Sequence, residues 1–357
     1  MHHSHRSSQQ IRHWLEQFLP VAGNANALKF LPLALLGLIG SGSCHLNRIA
    51  AAVPWAGSAA GVLQRVRRWI GRSSFRIDDY LAHAVRAHLQ AQAQSLIVVA
   101  VDRTDWKQAN LLYAAVSYHG RCLPLASLVL QGPKATHHEE LQQLLQRARQ
   151  ALPEGAQVVV VADREFGNIP AIRVIQQFGW HFCLRFKTDT WLYWADGSAH
   201  QARDLYPWRG RRQGWTQVSV TLQQYGPLNL SILWATRQDE PWILISDLDP
   251  RRLAALYRRR MHIDEMFSDL KKRGFQLEDT RLRDPQRLGR LLALLSLTYL
   301  WLLLAAAIII RRGCRRLVDP ASKRQLSYLQ IALRLCRFHP AQAESLAKAL
   351  ATAYDEK

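Results

Sequence analysis

Cysteine is scarce in this chain, with five in 357 residues. Cys44, Cys122, Cys183, Cys314 and Cys336 are odd in number and widely scattered, and no two have zinc-ligand spacing. That pattern excludes a disulfide framework and a zinc finger, and fits a reducing cytosol. A Gly-x4-Gly-Lys-Ser/Thr phosphate loop is also missing, so ATP is not implicated. There is no internal repeat and no low-complexity tract. The stretch Met1–Pro20, rich in His, Gln and Arg, lacks the apolar centre of a signal peptide. Acid is the other shortage: Asp plus Glu number 27 against 47 Lys plus Arg, leaving a formal charge of +20. Such an excess points to a polyanionic partner, because each phosphate neutralised releases condensed counterions.

What is present is globular. A composition of 48% hydrophobic and 21% charged residues buries enough apolar surface to offset the entropy of ordering the chain. The length suits two or three modules. One run, Leu291–Ile310, carries no charge and is long enough to span a bilayer, with Arg290 before it and Arg311 and Arg312 after it. A helix apolar all round is also what the interior of a large core requires. The buried helix is the expectation here, with no membrane.

Residues 1–90 read as helical. Gln10–Phe18 is amphipathic, Val62–Ile70 sets Arg65, Arg67 and Arg68 beside Trp69, and Ile77–Ala91 continues the pattern. Such a region can hold DNA by phosphate contacts, although a charged helix face is also simply solvated. The texture then changes. Leu96–Val101 and Gln157–Ala162 are short β-branched runs, typical of strands buried on both faces, and each is followed by an aspartate, Asp102 and Asp163. Leu111–Tyr118 and Leu123–Leu130 flank a hairpin-like turn, and His181–Phe186 is a further strand. Glu139–Ala151 and Ile169–Phe178 are helices. Together these form a mixed α/β core. From 188 to 246 tryptophans alternate with Gly, Gln and Thr in a β-rich insertion, and Arg251–Lys272 reads as one long helix.

A lone aspartate after a strand is most often a turn residue. Two of them after equally apolar strands are more informative, because functional groups gather beyond strand ends in open α/β sheets. If those strands are neighbours, the carboxylate oxygens suit Mg²⁺ or Mn²⁺. In the helix LYRRRMHIDEMFSDLKKRGF, Tyr257, Arg260, Asp264 and Lys271 project within about 60° at 100° per residue, so they share one face. That face carries a phenol, a guanidinium, a carboxylate and an ammonium, and is not a core stripe.

The spacing Tyr-x2-Arg-x3-acid-x6-Lys after two strand-terminal aspartates resembles the insertion-sequence-four (IS-four) family of DDE transposases, whose signature is Tyr-Arg-Glu-Lys. The words VDRTDW, ADREFGN and MFSDLKKRGF are similar to that family's motifs, and the likeness covers roughly residues 96–310. It implies an RNase H-like fold, a mixed sheet flanked by helices with the β-rich insertion before the last acid. The resulting organisation is a helical DNA-binding region over 1–90, a catalytic core over 91–187 and 247–312, the insertion over 188–246, and a basic helical region over 313–357.

By the same resemblance Asp102, Asp163 and Asp264 hold Mg²⁺ or Mn²⁺ and are catalytic, while Tyr257, Arg260 and Lys271 grip DNA. Trp242 takes the place of an aromatic that stacks on a flipped base; a core tryptophan at a strand start is the other reading. Asp264 stands where the family has Glu. One methylene fewer requires the helix to approach by roughly 1–1.5 Å more. Glu265 lies about 100° around the helix from Asp264, off that face.

The implied activity is cutting DNA at element ends and joining the 3′-hydroxyls to target DNA, by two-metal phosphoryl transfer. The implied partners are the terminal inverted repeats, the target DNA and a second copy of the chain on paired ends, in the bacterial cytoplasm at the nucleoid. Rival readings are a catalytically weakened relative that represses by holding terminal repeats, and a metal-dependent nuclease without strand transfer. Asp247 and Asp249, before Pro250, read as a turn leading into a helix, and His262 as a packed or solvated residue.

Overall fold

The structure is a computed structural model that describes residues 2–18, 25–72, 75–92, 96–106, 109–131 and 136–352. Five helices come first: α1 (His2–Glu16), α2 (Ala25–Ser41), α3 (Leu46–Ala52), α4 (Ala59–Gly71) and α5 (Ile77–Gln90). Next are β1 (Ile97–Trp106), β2 (Ala109–Tyr118), β3 (Arg121–Gln131), α6 (His138–Gln150), β4 (Val158–Ala162), α7 (Ile169–Gln177) and β5 (His181–Phe186). Strands β6 (Trp191–Tyr193), β7 (Ala199–Gln201), β8 (Arg211–Val220), β9 (Tyr225–Trp234) and β10 (Trp242–Ser246) follow. The chain closes with α8 (Pro250–Arg258), α9 (His262–Ser268), α10 (Pro285–Arg311), α11 (Tyr328–Phe338) and α12 (Pro340–Thr352).

Among the described residues the strands form one sheet in the order β3-β2-β1-β4-β5-β10-β9-β8-β6-β7. The antiparallel pairing of β2 with β3 comes from local turn chemistry. His119 and Gly120 both have positive φ (45° and 76°), the backbone of a two-residue hairpin whose twist matches its strands. β4 lies parallel to β1, and β5 parallel to β4, because α6 and α7 supply the crossovers that parallel pairing needs. The helices start where side chains can satisfy their first amides. Asn168 accepts from the Ala171 amide at 2.9 Å, and Asp249 from the Arg251 amide at 2.8 Å. A proline follows each cap at a position that needs no amide hydrogen.

The α/β architecture with a mixed sheet flanked by helices is the one expected. Three boundaries differ. Within the 188–246 span, β10 pairs antiparallel with β5 and carries β9, β8, β6 and β7 outward, so those strands prolong the same sheet. β1 does not stop at Asp102 but runs on to Trp106, because its hairpin partner β2 keeps pairing as far as Trp106↔Ala109. The helix expected over Arg251–Lys272 is broken into α8, a tight 3₁₀ turn at Arg259–Met261, α9, and a wide π-helical turn at Asp269–Arg273.

One continuous core runs through helices and sheet alike. α10 contains the whole charge-free run. It is long and apolar enough to cross a membrane, yet 89% of its most apolar stretch is buried within the protein. Strand β3 and helices α2, α4, α5, α11 and α12 surround it. Its burial therefore replaces lipid with protein. Leu300 is fully buried at its centre (0% exposed). Leu300→Ala is expected to lower unfolding free energy by about 2–5 kcal/mol in denaturant titration, the cost of a cavity in a packed core. A lipid-facing leucine would show no such loss.

Candidate active site

The parallel ladder between β1 and β4 sets the centre of the site. Val101 pairs with Ala162, so the next residues, Asp102 and Asp163, leave adjacent strands at the same level. Asp102 is 6% exposed. Its Oδ1 accepts from the Arg103 amide at 2.9 Å and its Oδ2 from Arg260 Nη2 at 2.7 Å. Burial pushes its carboxyl up to about 6; Arg260 opposes the rise, while the charges of Asp163 and Asp264 add to it. Asp163 Oδ1 accepts from the Glu165 amide at 3.0 Å, which fixes one oxygen and leaves the other free of that bond. Close to Asp163, Gly167 admits the backbone of β5: a Cβ there would meet the Arg185 carbonyl oxygen at 2.3 Å.

The third acid reaches this place through Arg260. Its guanidinium, with 14% of the side chain exposed, lies between Asp102 and Asp264, with Nη1 3.3 Å from Asp264 Oδ2. Glu265 pairs instead with Arg273, Oε2 to Nη1 at 2.8 Å. Of the two neighbouring acids, Asp264 shares a cation with Asp102. His262, at the start of α9, is tied to Ser117 of β2 at 2.8 Å, which pins the helix to the sheet.

Paired carboxylates at adjacent strand positions, a third acid on a helix across them and a buried arginine among them coincide with a sequence family. The model of the transposase DDE domain family matches residues 93–301. The chain belongs to this DDE transposase family. No curated protein matches it. The match makes it a DNA-processing transposase in the general sense, of a family that generally uses divalent metals.

Within this DDE transposase Tyr257 feels the charges of Arg260 and Asp163. Tyr257 is buried at 2% exposure and meets Trp242 edge-on, with ring centroids 4.9 Å apart. Burial pushes its phenol up to about 12. Trp242 is itself 8% exposed at the start of β10. Its ring packs in the core against Tyr257, in line with the reading of a core tryptophan at a strand start. Lys271 Nζ donates to the Asp105 carbonyl at 2.7 Å. The 3₁₀ turn before α9 and the π turn after it change the angular step, so a uniform 100° projection does not hold. Arg260 and Asp264, one turn apart, keep the expected relation.

The donor set fits a hard divalent cation. Asp102, Asp163 and Asp264 offer carboxylate oxygens, and the raised carboxyl of Asp102 marks a place where burial outweighs the positive charge supplied by Arg260. Among the described residues, however, no three His, Cys, Asp or Glu side chains already stand close enough to hold one ion. Full convergence of the acids was expected, and here the guanidinium stands between two of them. Carboxylates near one another repel, and Arg260 supplies positive charge between Asp102 and Asp264.

Three ion pairs flanking the acids, made by two glutamates, carry no signal in local spacing. Glu240 joins Arg164 (3.2 Å) and Arg185 (3.1 Å) across sequence separations of 76 and 55. Glu165 joins Arg103 at 3.1 Å. Periodicity cannot reveal pairs so far apart in the chain.

Asp102 gives a test through stability. Its folded-state carboxyl, at about 6, lies above the unfolded value of 3.8, so the folded protein holds the proton more tightly between those values. Stability from this group is therefore present below about pH 4 and is lost as pH rises through 6. In parallel urea titrations, the wild type is expected to lose on the order of 2 kcal/mol relative to Asp102→Asn between pH 4 and 7. A pH-independent difference would show that the carboxyl is not raised.

Proposed function

We propose that this DDE transposase is of the IS-four type, cutting DNA at insertion-sequence ends and joining the 3′-hydroxyls to target DNA. The observation that carries this reading is the Asp102–Arg260–Asp264 bridge beside Asp163, on the spacing Tyr257, Arg260, Asp264, Lys271. The signature helix is thereby joined to the acid of β1 by side-chain bonds as well as by resemblance. Asp264 fills the third acidic position in preference to Glu265, which Arg273 engages.

The reaction class is in-line displacement at a phosphodiester. A water or a 3′-hydroxyl attacks phosphorus, one P–O bond forms, the opposite one breaks, and the leaving oxygen takes up a proton. Mg²⁺ or Mn²⁺, held by Asp102, Asp163 and Asp264, would supply charge stabilisation for both oxygens. The chain's own side chains bind and orient. Arg260 balances the acids before substrate arrives and offers charge-assisted donors to a phosphate once they are otherwise neutralised. Lys271, beside Asp105 on the same edge, adds a point charge for the backbone. Tyr257 and Trp242, packed on each other, hold the start of β10 against α8. We place the chain in the bacterial cytoplasm at the nucleoid, acting as a homodimer on paired ends. DNA binding by the 1–90 region belongs to the same reading.

The test uses purified protein, supercoiled DNA carrying the element ends, and Mg²⁺. Asp102→Ala, Asp163→Ala and Asp264→Ala are each expected to lower nicking by at least about 100-fold while DNA binding persists, whereas Glu265→Gln keeps wild-type rates. Full activity in Asp264→Ala would remove the three-acid scheme. Nicking without joined products would favour the nuclease, and DNA binding without nicking the repressor.

A further inference from the structure

The surface of α4 has no explanation in the fold. Its buried side is Val62, Val66, Trp69 and Ile70, and its first turn contains no acid. Arg65, Arg67 and Arg68 are all exposed, as is Arg72 at the C-terminal cap. None of the four forms an ion pair among the described residues. Cations near a helix C-terminus usually serve its free carbonyls. Here that role is filled from elsewhere: Arg290 of α10 donates to the Ile70 carbonyl at 2.9 Å and the Trp69 carbonyl at 3.3 Å, and also to the Phe75 carbonyl.

One further arginine meets this surface, at the end of a segment that carries two more. The segment between the wide turn at Asp269–Arg273 and α10 carries Arg281 and Arg283, both exposed, and Arg287 stands in the first turns of α10. Arg287 reaches α4, its Nε lying 3.7 Å from where a Cβ on Gly71 would be. The chain thus leads from Lys271, bonded to the Asp105 carbonyl on the β1 extension, to Arg287, against α4. Among the described residues no carboxylate forms an ion pair with Arg65, Arg67, Arg68, Arg72 or Arg287, so their like charges are not neutralised within the fold. An external polyanion would neutralise them.

We propose that the exposed face of α4, together with Arg281, Arg283 and Arg287, is a docking surface for the phosphate backbone of duplex DNA, separate from the acids and continuous through the 272–287 segment with Lys271. The inference rests on the reading of the chain as a DNA transposase and names the part of the molecule that holds the duplex beside the cut. Arg65 to Arg72 spans roughly 10 Å of helix, comparable with the ~12 Å width of a major groove, so successive guanidiniums can follow phosphates along its edge. Arg65 also lies over the Trp55 ring at 4.9 Å, which steadies it. The interaction is with the phosphate backbone and carries no sequence preference of its own.

The experiment measures duplex binding by fluorescence anisotropy across a salt series, using the full chain and a labelled oligonucleotide. In Arg65→Gln/Arg68→Gln/Arg72→Gln the slope of log K against log salt is expected to fall by about 2.7, roughly 0.9 for each guanidinium removed, with melting temperature unchanged or higher. Replacement of the same three by Lys is expected to keep the slope. Arg287→Gln alone is expected to reduce it by about 0.9. A triple Gln variant that is folded and retains the wild-type slope would overturn the docking surface while leaving the transposase reading intact. Failure of the wild type to bind duplex at all would overturn both.

Discussion

Asp102 is buried beside two other carboxylates, and its neighbourhood is arranged around the cost of keeping that charge out of water. The parallel register of β1 and β4 fixes Asp102 and Asp163 side by side without regard to their charge. Arg260 is what makes the arrangement tolerable, and it does so incompletely, since the Asp102 carboxyl stays at about 6. A buried acid that its partner only half compensates is poor design for stability alone. It is good design for a site that receives positive charge from outside. The same guanidinium links α9 to the sheet, so the electrostatic balance and the placement of the third acid are one interaction.

The helix around Arg260 shows how the geometry is tuned. A tight turn precedes α9 and a wide one follows it, and between them Arg260 and Asp264 remain one turn apart. The wide turn delivers Lys271 to the Asp105 carbonyl, on the extension of β1 beyond the acids. π-helical turns are uncommon and gather at functional sites. Gly274 ends this one where a Cβ would meet Leu329 at 2.3 Å, so the turn is closed by packing against α11. The C-terminal helices thereby brace the segment that carries the signature residues. Ser327, at the cap of α11, adds to this by donating to the buried Asp269 at 2.9 Å.

Charge and apolarity are partitioned on a larger scale as well. The excess of 20 positive charges lies outside a core that takes in α10 almost whole. Where α10 begins, Arg290 is committed to the carbonyls of α4, so the exposed arginines of α4 are not needed to cap it. The sheet is likewise continuous, with β10 joining β9 and the strands beyond it to β5, the neighbour of β4. No boundary in packing isolates the helices of residues 1–90 from those after 313, since α1 lies against α12.

As a string of residues, the chain already determined its α/β class, its buried strands, its turn at His119–Gly120 and the identity of Asp102, Asp163, Arg260 and Asp264 as residues worth placing together. These depend on local periodicity and on short spacings, which a linear text preserves. Tertiary structure alone decided that β1 runs past Asp102, since an antiparallel partner holds those polar residues in a strand their composition would end. It decided that Trp242 faces Tyr257 in the core, that α10 is wrapped by protein, and that Arg260 stands where convergent acids were expected. Each of these turns on which distant side chain arrives first at a given space, and that competition has no trace in the order of residues along the chain.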